Sequence, residues 1–308
     1  MKKIMVLVLV SFIAVISCGT TPAENPNAGP ELNVTLPEIF SPSPDVVDDK
    51  MTIAIGFKHP APIKDWTISV QPIRRQAGQA GQAAGQGGEA RQQRPEGEQR
   101  PEGERRQRQA FFEQKGTGKP PASWQWNGKG TSGEMVQSAT DYRFLLTVTD
   151  KFDNASTYEG VIPVDVLVRR EGDDLRIIVP SITFPPASAD LTKVESMVGA
   201  DEQRTNVRVL RLIANALNKY QDYKITVEGH TNPGAALGTT QRNTENNNNM
   251  KISEDRAKAV IDYLVATHSI DKTRLTPKGM SGTKTITEDF NNDDENWKNR
   301  RVEFILKK

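Results

Sequence analysis

The sequence predicts a multidomain chain in which a β-sandwich precedes an α/β sandwich whose helices pack on a mixed sheet. Three observations carry that expectation. Between Met51 and Val168, apolar and polar residues alternate in short runs separated by turn signals, without a helical period. After Gly172 the pattern changes, and Val207, Leu210, Ile213, Ala214, Leu217 and Tyr220 recur at helical spacing. Short strand-like runs at Lys224–Glu228 and Arg274–Lys278 then flank a second helical pattern, the alternation that builds a two-layer α/β domain.

The chain opens Met1-Lys2-Lys3, followed by an apolar run from Ile4 to Ile16. A membrane-spanning helix needs about 20 apolar residues, so this run is too short to be one. It fits the hydrophobic part of a secretory signal, with the small Ser17 at the cleavage position. Val15-Ile16-Ser17-Cys18 resembles the lipobox read by lipoprotein signal peptidase. That resemblance implies a diacylglycerol on the Cys18 thiol and an acylated new amino terminus, the bland alternative being a chance cysteine in an ordinary signal. Lipid chains add about 0.8 kcal/mol of membrane affinity per buried methylene, so a doubly acylated Cys18 would hold the protein at a membrane. Cys18 is the sole cysteine, which excludes an intramolecular disulfide framework and a thiolate cluster for metal or redox chemistry. Residues 1–17 are therefore expected as signal peptide and 18–31, polar and proline-containing, as a tether.

A first domain is expected over 32–172. Met51–Ile55 and Trp66–Val70 alternate as strands. Residues 74–110 contain only Gln, Arg, Gly, Ala, Glu and Pro, including the tandem Arg94-Pro-Glu-Gly-Glu-Gln and Arg100-Pro-Glu-Gly-Glu-Arg. Such a stretch cannot bury enough apolar surface to offset its ordering entropy and reads as a disordered insert. Its eight arginines face five glutamates, so a solvated loop is a simpler reading than a grip on an anionic polymer. Strands resume at Ser123–Trp126, before an Asn127-Gly128 turn, at Tyr142–Thr149 and at Val161–Val168. Phe40-Ser41-Pro42, Trp126-Asn127-Gly128-Lys129, Gly133, Asp141-Tyr142 and Thr149-Asp150 together resemble immunoglobulin-like repeats of the flagellar hook-capping FlgD type. Phe152-Asp153-Asn154 stands where that type has a Gly-Asn turn. The resemblance implies a spacer or interaction module whose tryptophans are core residues.

The second domain is expected over 173–308. Leu175–Val179, Ile182–Phe184 and Arg301–Leu306 read as strands, residues 192–206 as an insertion before the first helix, and Ser253 as the cap of the second helix. Five segments resemble, in order, the OmpA-like peptidoglycan-binding domain. They are Phe184 through Ser188-Ala189-Asp190-Leu191; Val227-Glu228-Gly229-His230-Thr231; Asn249, Ser253, Arg256 and Ala257 at the spacing N-x-x-x-S-x-x-R-A; Gly279 and Gly282; and Asn299-Arg300-Arg301-Val302-Glu303.

The resemblance implies that the domain binds the diaminopimelate of a peptidoglycan stem peptide. Arg256 is then the carboxylate ligand, by a two-pronged, charge-assisted contact, with Thr231 and Asn249 as polar contacts. Taken alone, Arg256 would read as a solvated helix arginine. The family's loop aspartate falls on Asn232, which keeps an acceptor but loses the charge that would hold the ligand's ammonium. A charged hydrogen bond exceeds a neutral one by roughly 1 kcal/mol, so the contact is expected to weaken and Asn232→Asp to strengthen it. The loop from Asn232 to Arg256 also looks long, with the polar run Asn243–Asn249.

Forty basic and 39 acidic residues leave a net charge of +1, which gives no argument for a nucleic-acid partner. The histidines are His59, His230 and His268, with no zinc-site spacing, and neither G-x-S-x-G nor a phosphate-binding glycine loop occurs. No enzyme, cofactor or metal site is expected. The function implied is a lipoprotein that binds peptidoglycan non-covalently and tethers the outer membrane to the wall from the periplasmic side. Gly19 lacks the aspartate that retains some lipoproteins at the inner membrane. The alternative is an envelope scaffold or adhesin whose sandwich binds protein partners and whose last domain has lost wall binding.

Overall fold

The computed structural model describes residues 29–42, 49–73, 110–233, 238–288 and 293–308. The expected signal segment, Cys18, the tether up to residue 28 and residues 74–109 of the insert lie outside the described residues. Among the described residues, no helix is long and apolar enough to cross a membrane.

The first domain contains β1 (Glu31–Thr35), β2 (Met51–Lys58), β3 (Ile63–Pro72), β4 (Phe112–Thr117), β5 (Ser123–Trp126), β6 (Asp141–Asp150) and β7 (Ala155–Pro163). They form two antiparallel sheets, ordered β1-β2-β5 and β4-β3-β6-β7, around one core. The period of two decides which side chains enter it. β6 buries Tyr142, Phe144, Leu146 and Val148, and β2 buries Met51, Ile53 and Ile55. Trp124 and Trp126 lie stacked in this core with ring centroids 6.1 Å apart. The Trp126 indole N–H donates to the Lys129 carbonyl at 2.8 Å, closing the Asn127-Gly128 turn. Gly128 sits at φ +80, and a Cβ there would lie 3.0 Å from the Phe40 ring.

The expected strand Val161–Val168 divides in two. β7 ends at Pro163, and β8 (Val168–Glu171) pairs antiparallel with β9 (Asp174–Val179) in the second domain's sheet. Between them, Val164 and Leu167 enter the first core, while Val166 and Val168 pack on the second.

The second domain continues with α1 (Val194–Met197), α2 (Ala200–Leu217), β10 (Lys224–His230), α3 (Thr240–His268), β11 (Leu275–Ser281), α4 (Asp293–Asn296) and β12 (Val302–Lys307). Its sheet is mixed, ordered β11-β10-β12-β9-β8, with β10 and β11 parallel and the other neighbours antiparallel. Val209, Leu210, Ile213 and Leu217 of α2 and Ala257, Val260, Ile261 and Leu264 of α3 share one core with the apolar face of that sheet. The helical period of each supplies the apolar stripe that a sheet-packed helix needs.

Three local expectations are corrected. Ile182–Phe184 is not a strand, because Asn206 takes the place of a ladder partner. Its side chain accepts from the Thr183 N–H at 2.9 Å and donates to the Thr183 carbonyl at 2.7 Å. The first long helix starts at Ala200, so most of the expected insertion is helical. The second starts at Thr240, with Thr239 as its cap, and the asparagine run is helical too. Ser253 lies inside that helix, and its hydroxyl donates to the Met250 carbonyl at 2.7 Å and accepts from the Ser281 N–H at 3.0 Å. The asparagines are held to the sheet side by Asn246, whose oxygen accepts from the Gly282 N–H at 3.1 Å.

Two glycines set the depth of α3. A Cβ on Gly229 of β10 would lie 2.0 Å from the Ser253 carbonyl oxygen, and one on Gly279 of β11 would lie 2.5 Å from that of Met250. Real Cβ atoms do not approach backbone so closely, so only glycine lets the helix rest directly on these strands.

Candidate functional site

Arg256 leaves the middle of α3 on the side of the segment that Asn206 clips. Its Nε donates to the Ser188 carbonyl at 3.1 Å, and its guanidinium carbon stands 5.1 Å from the Phe184 ring centroid. A ring face attracts a cation, and the carbonyl fixes one edge of the guanidinium. Asp190 turns the chain just beyond by accepting from the Thr192 N–H at 3.0 Å. Among the described residues, no carboxylate pairs with Arg256. Burial, and then the neighbouring Arg300, push its guanidinium below its ordinary pKa. A desolvated cation beside a second cation is an arrangement that an anion relieves.

Arg256 opens onto a cavity of about 430 Å³, within the range of small-ligand sites. Phe184, Trp297, Arg300, and Gly229 with His230 at the end of β10 line it from the second domain. Ile73, Ala139, Thr140 and Asp141 line it from the first. Asp141 pairs with Arg208 of α2 at 2.7 Å, and Arg301 pairs with Glu303 at 2.5 Å.

The structure places the other expected site residues around this cavity rather than on its walls. Thr231 is buried, and its N–H donates to the Ser281 carbonyl at 2.8 Å. Its hydroxyl oxygen has no partner among the described residues. The Asn232 amide, in the orientation its surroundings require, donates to the Asn296 carbonyl at 2.9 Å and accepts from Arg300 Nη1 at 3.0 Å. Asn232 thus holds Arg300. Asn249 lies two turns before Arg256 on the same helix face, about 10 Å along the axis, and is half-buried. Arg300, Trp297 and the first domain's contribution went unidentified as site residues. Arg300 stands inside the Asn299–Glu303 motif, whereas nothing local marks Trp297 or Thr140.

One further cluster has ligating atoms. Glu228, His230 and Glu303 are buried, with one such atom from each within 4.8 Å of the others. Glu228 and Glu303 face each other across β10 and β12. Four cations already serve them, with Lys278 at 3.0 Å and Lys284 at 3.9 Å from Glu228, and Arg301 at 2.5 Å and Arg176 at 3.3 Å from Glu303. A dication would enter a group already in positive excess, so the cluster reads as a buried ion network. Burial first, and then Arg301, Lys284 and Arg176, push His230 down to about 3, which keeps its ring neutral.

Residues 202–300 match the OmpA family. No curated protein matches the chain. Among solved structures, the cell wall anchor of the T6SS from Pseudomonas aeruginosa is 28% identical, with 46% of this chain and 87% of that one covered and a TM-score of 0.33. A putative MotB-like protein from Desulfovibrio vulgaris is 20% identical, covering 46% of this chain and 78% of that one, with a TM-score of 0.34. An outer membrane protein from Borrelia burgdorferi B31 is 25% identical, covering 45% of this chain and 94% of that one, with a TM-score of 0.28. Most of α2, with β10, the helix that carries Arg256, β11 and Arg300, thus lies in an OmpA-family domain over residues 202–300.

Proposed function

We propose that the chain grips peptidoglycan non-covalently, as a binding protein rather than an enzyme, with a stem-peptide carboxylate held at Arg256. The observation that carries this reading is the guanidinium itself: half-buried, fixed by Ser188 and Phe184, and without a carboxylate partner among the described residues. Arg binds a planar carboxylate through paired N–H donors, and a charge-assisted contact is about twice as strong as a neutral one. The OmpA-family match supports the ligand class, a stem peptide carrying diaminopimelate. Asn232 serves this site by holding Arg300, and Thr231 and Asn249 stand at its margin.

The same proposal includes the remaining chain. Cys18 carries lipid in the outer membrane, residues 18–31 act as tether, and the first domain is a FlgD-type immunoglobulin-like spacer on the periplasmic side. Two experiments test it. The chain should co-sediment with purified insoluble cell wall, and Arg256→Ala should abolish this; failure to sediment, or sedimentation untouched by the substitution, sinks the wall reading. Cells fed labelled palmitate should label the chain and not its Cys18→Ser variant, and equal labelling rejects the lipid anchor.

A further inference from the structure

The Arg256 cavity is not contained in the OmpA-family domain. One of its walls is the corner of the first domain that leads into β6, together with Ile73 beyond the end of β3. That corner is deeply engaged. Ala139 is fully buried and belongs to the hydrophobic core of the second domain, although its chain neighbours belong to the first. Its backbone lies at φ 54, a conformation that a residue with a Cβ keeps only where its surroundings fix it. Its carbonyl accepts from the Ser181 hydroxyl at 3.0 Å, and its N–H donates to the Asp165 carbonyl at 3.0 Å. Two residues on, Asp141 closes the contact with Arg208 at 2.7 Å. Ser181 and Arg208 also line the cavity.

We propose that the first domain completes the ligand site, so that binding of a carboxylate-bearing wall peptide at Arg256 and docking of the Ala139–Asp141 corner are one linked equilibrium. The inference rests on the wall-binding reading and adds its second half. The carboxylate is supplied with a cation by α3, and the body of the peptide is enclosed by Thr140, Asp141 and Ile73. A ligand that touches both walls favours the docked arrangement over any in which they part, and docking in turn raises the affinity by the same factor. Recognition is then a property of the two domains together, and the Asp141–Arg208 pair is a positioning element for it.

The test uses the full chain and a soluble stem tripeptide ending in diaminopimelate. Asp141→Arg and Arg208→Asp should each lower affinity by about fivefold or more, the lower range of measured site couplings. The double variant D141R/R208D, which restores an opposite-charge pair, should recover to within about twofold of the parent. In Asp141→Arg the added cation attracts the carboxylate but repels the peptide's ammonium, so the decisive reading is the recovery in D141R/R208D, which keeps the new cation and restores only the docking pair. Thermal unfolding of each variant shows whether it is folded. In the parent chain, the tripeptide should also slow amide hydrogen exchange at Thr140 and Asp141. Single variants that bind as the parent does, a double variant no better than the singles, or exchange unchanged by the peptide would each overturn the proposal. A parent chain that binds neither tripeptide nor wall, with Arg256→Ala indistinguishable from it, would remove the wall-binding reading itself.

Discussion

Arg242 and Arg256 sit on one helix and have opposite fates. Arg242, in the first turn of α3, is almost wholly buried and paired with a carboxylate. Its Nη1 meets Glu288 at 2.6 Å, and its Nη2 donates to the Gly282 carbonyl at 3.0 Å. The pairing with Arg242, and the Thr285 hydroxyl bond, hold the Glu288 carboxyl below the usual range. Arg256, further along, has one carbonyl and one ring face and no carboxylate among the described residues. The first arginine turns both terminal nitrogens to the fold, and the second lines a cavity with no carboxylate beside it among the described residues. Burial alone does not separate the two. What does is charge compensation, since a half-buried cation without a carboxylate costs stability that an anionic ligand can return.

The largest effect is expected where both arginines lose their support. Gly229→Ala would place a methyl group 2.0 Å from the Ser253 carbonyl and force α3 off the sheet. Overpacking of this kind costs about 3 kcal/mol, so thermal unfolding should move sharply down and wall binding should fall with it. A variant with near-parental stability would show that the helix is not set by that contact. Arg256→Ala should separate site from fold. A buried charge contact to a ligand is worth about 2–5 kcal/mol, so affinity for wall peptide should drop at least about thirtyfold while the melting temperature stays within a few degrees. Arg242→Ala should do the converse. About 2 kcal/mol of stability is lost, because the Gly282 carbonyl loses its donor and Glu288 is half exposed, and binding changes little. If these two substitutions gave the same pattern, the contrast between the arginines would collapse.

A pH titration sharpens it further. His230 is pushed from 6.5 to about 3 in the folded chain, so between those values the unfolded chain binds more protons. Stability is full above pH 6.5 and declines as pH falls toward 3, by up to about 1.4 kcal/mol per pH unit. His230→Gln should flatten that slope in denaturant titrations. Arginine keeps its charge throughout, so affinity at Arg256 should be level from pH 8 down to the ligand's own carboxylate range, about pH 4. The smallest effect belongs to Asn232→Asp. The sequence alone leads one to expect a stronger ammonium contact, but the side chain faces Arg300 and the Asn296 carbonyl. A carboxylate there gains Arg300 and loses the donation to Asn296, so affinity should change by less than about threefold, two neighbouring terms of about 1 kcal/mol nearly cancelling. A tenfold gain for diaminopimelate-type wall would show that residue 232 meets the ligand.

What could be read from the sequence was periodic or local in kind. The alternation in Tyr142–Val148 and the spacing of Leu210, Ile213, Ala214 and Leu217 arise from a single element meeting a single core, and both are realised, whereas Val207 faces outward and Val209 takes the core position beside it. The string Asn249, Ser253, Arg256 and Ala257 was legible as a unit because one helix carries it. The start of that helix was not, since its asparagines have low intrinsic helix preference and are held by tertiary bonds such as Asn246 to Gly282. Ile182–Phe184 misled for a related reason: an apolar triplet looks like a strand, and only the distant Asn206 decides that its backbone is clipped instead. The cavity's other wall was illegible altogether. Thr140 and Arg256 are far apart in the chain, and no pattern in either segment announces that they line one cavity.

The passage between the domains is short, and Val164 and Leu167 are each packed into the first core before β8 begins the second sheet. Mechanically this leaves no slack. On the wall-binding proposal, a pull on the first domain that is resisted at Arg256 reaches the second sheet through this short passage and the seated Ala139 corner. β1 is an edge strand, paired on one side only, with β2 over the five residue pairs from Glu31 to Thr35, so a pull entering there loads a single ladder.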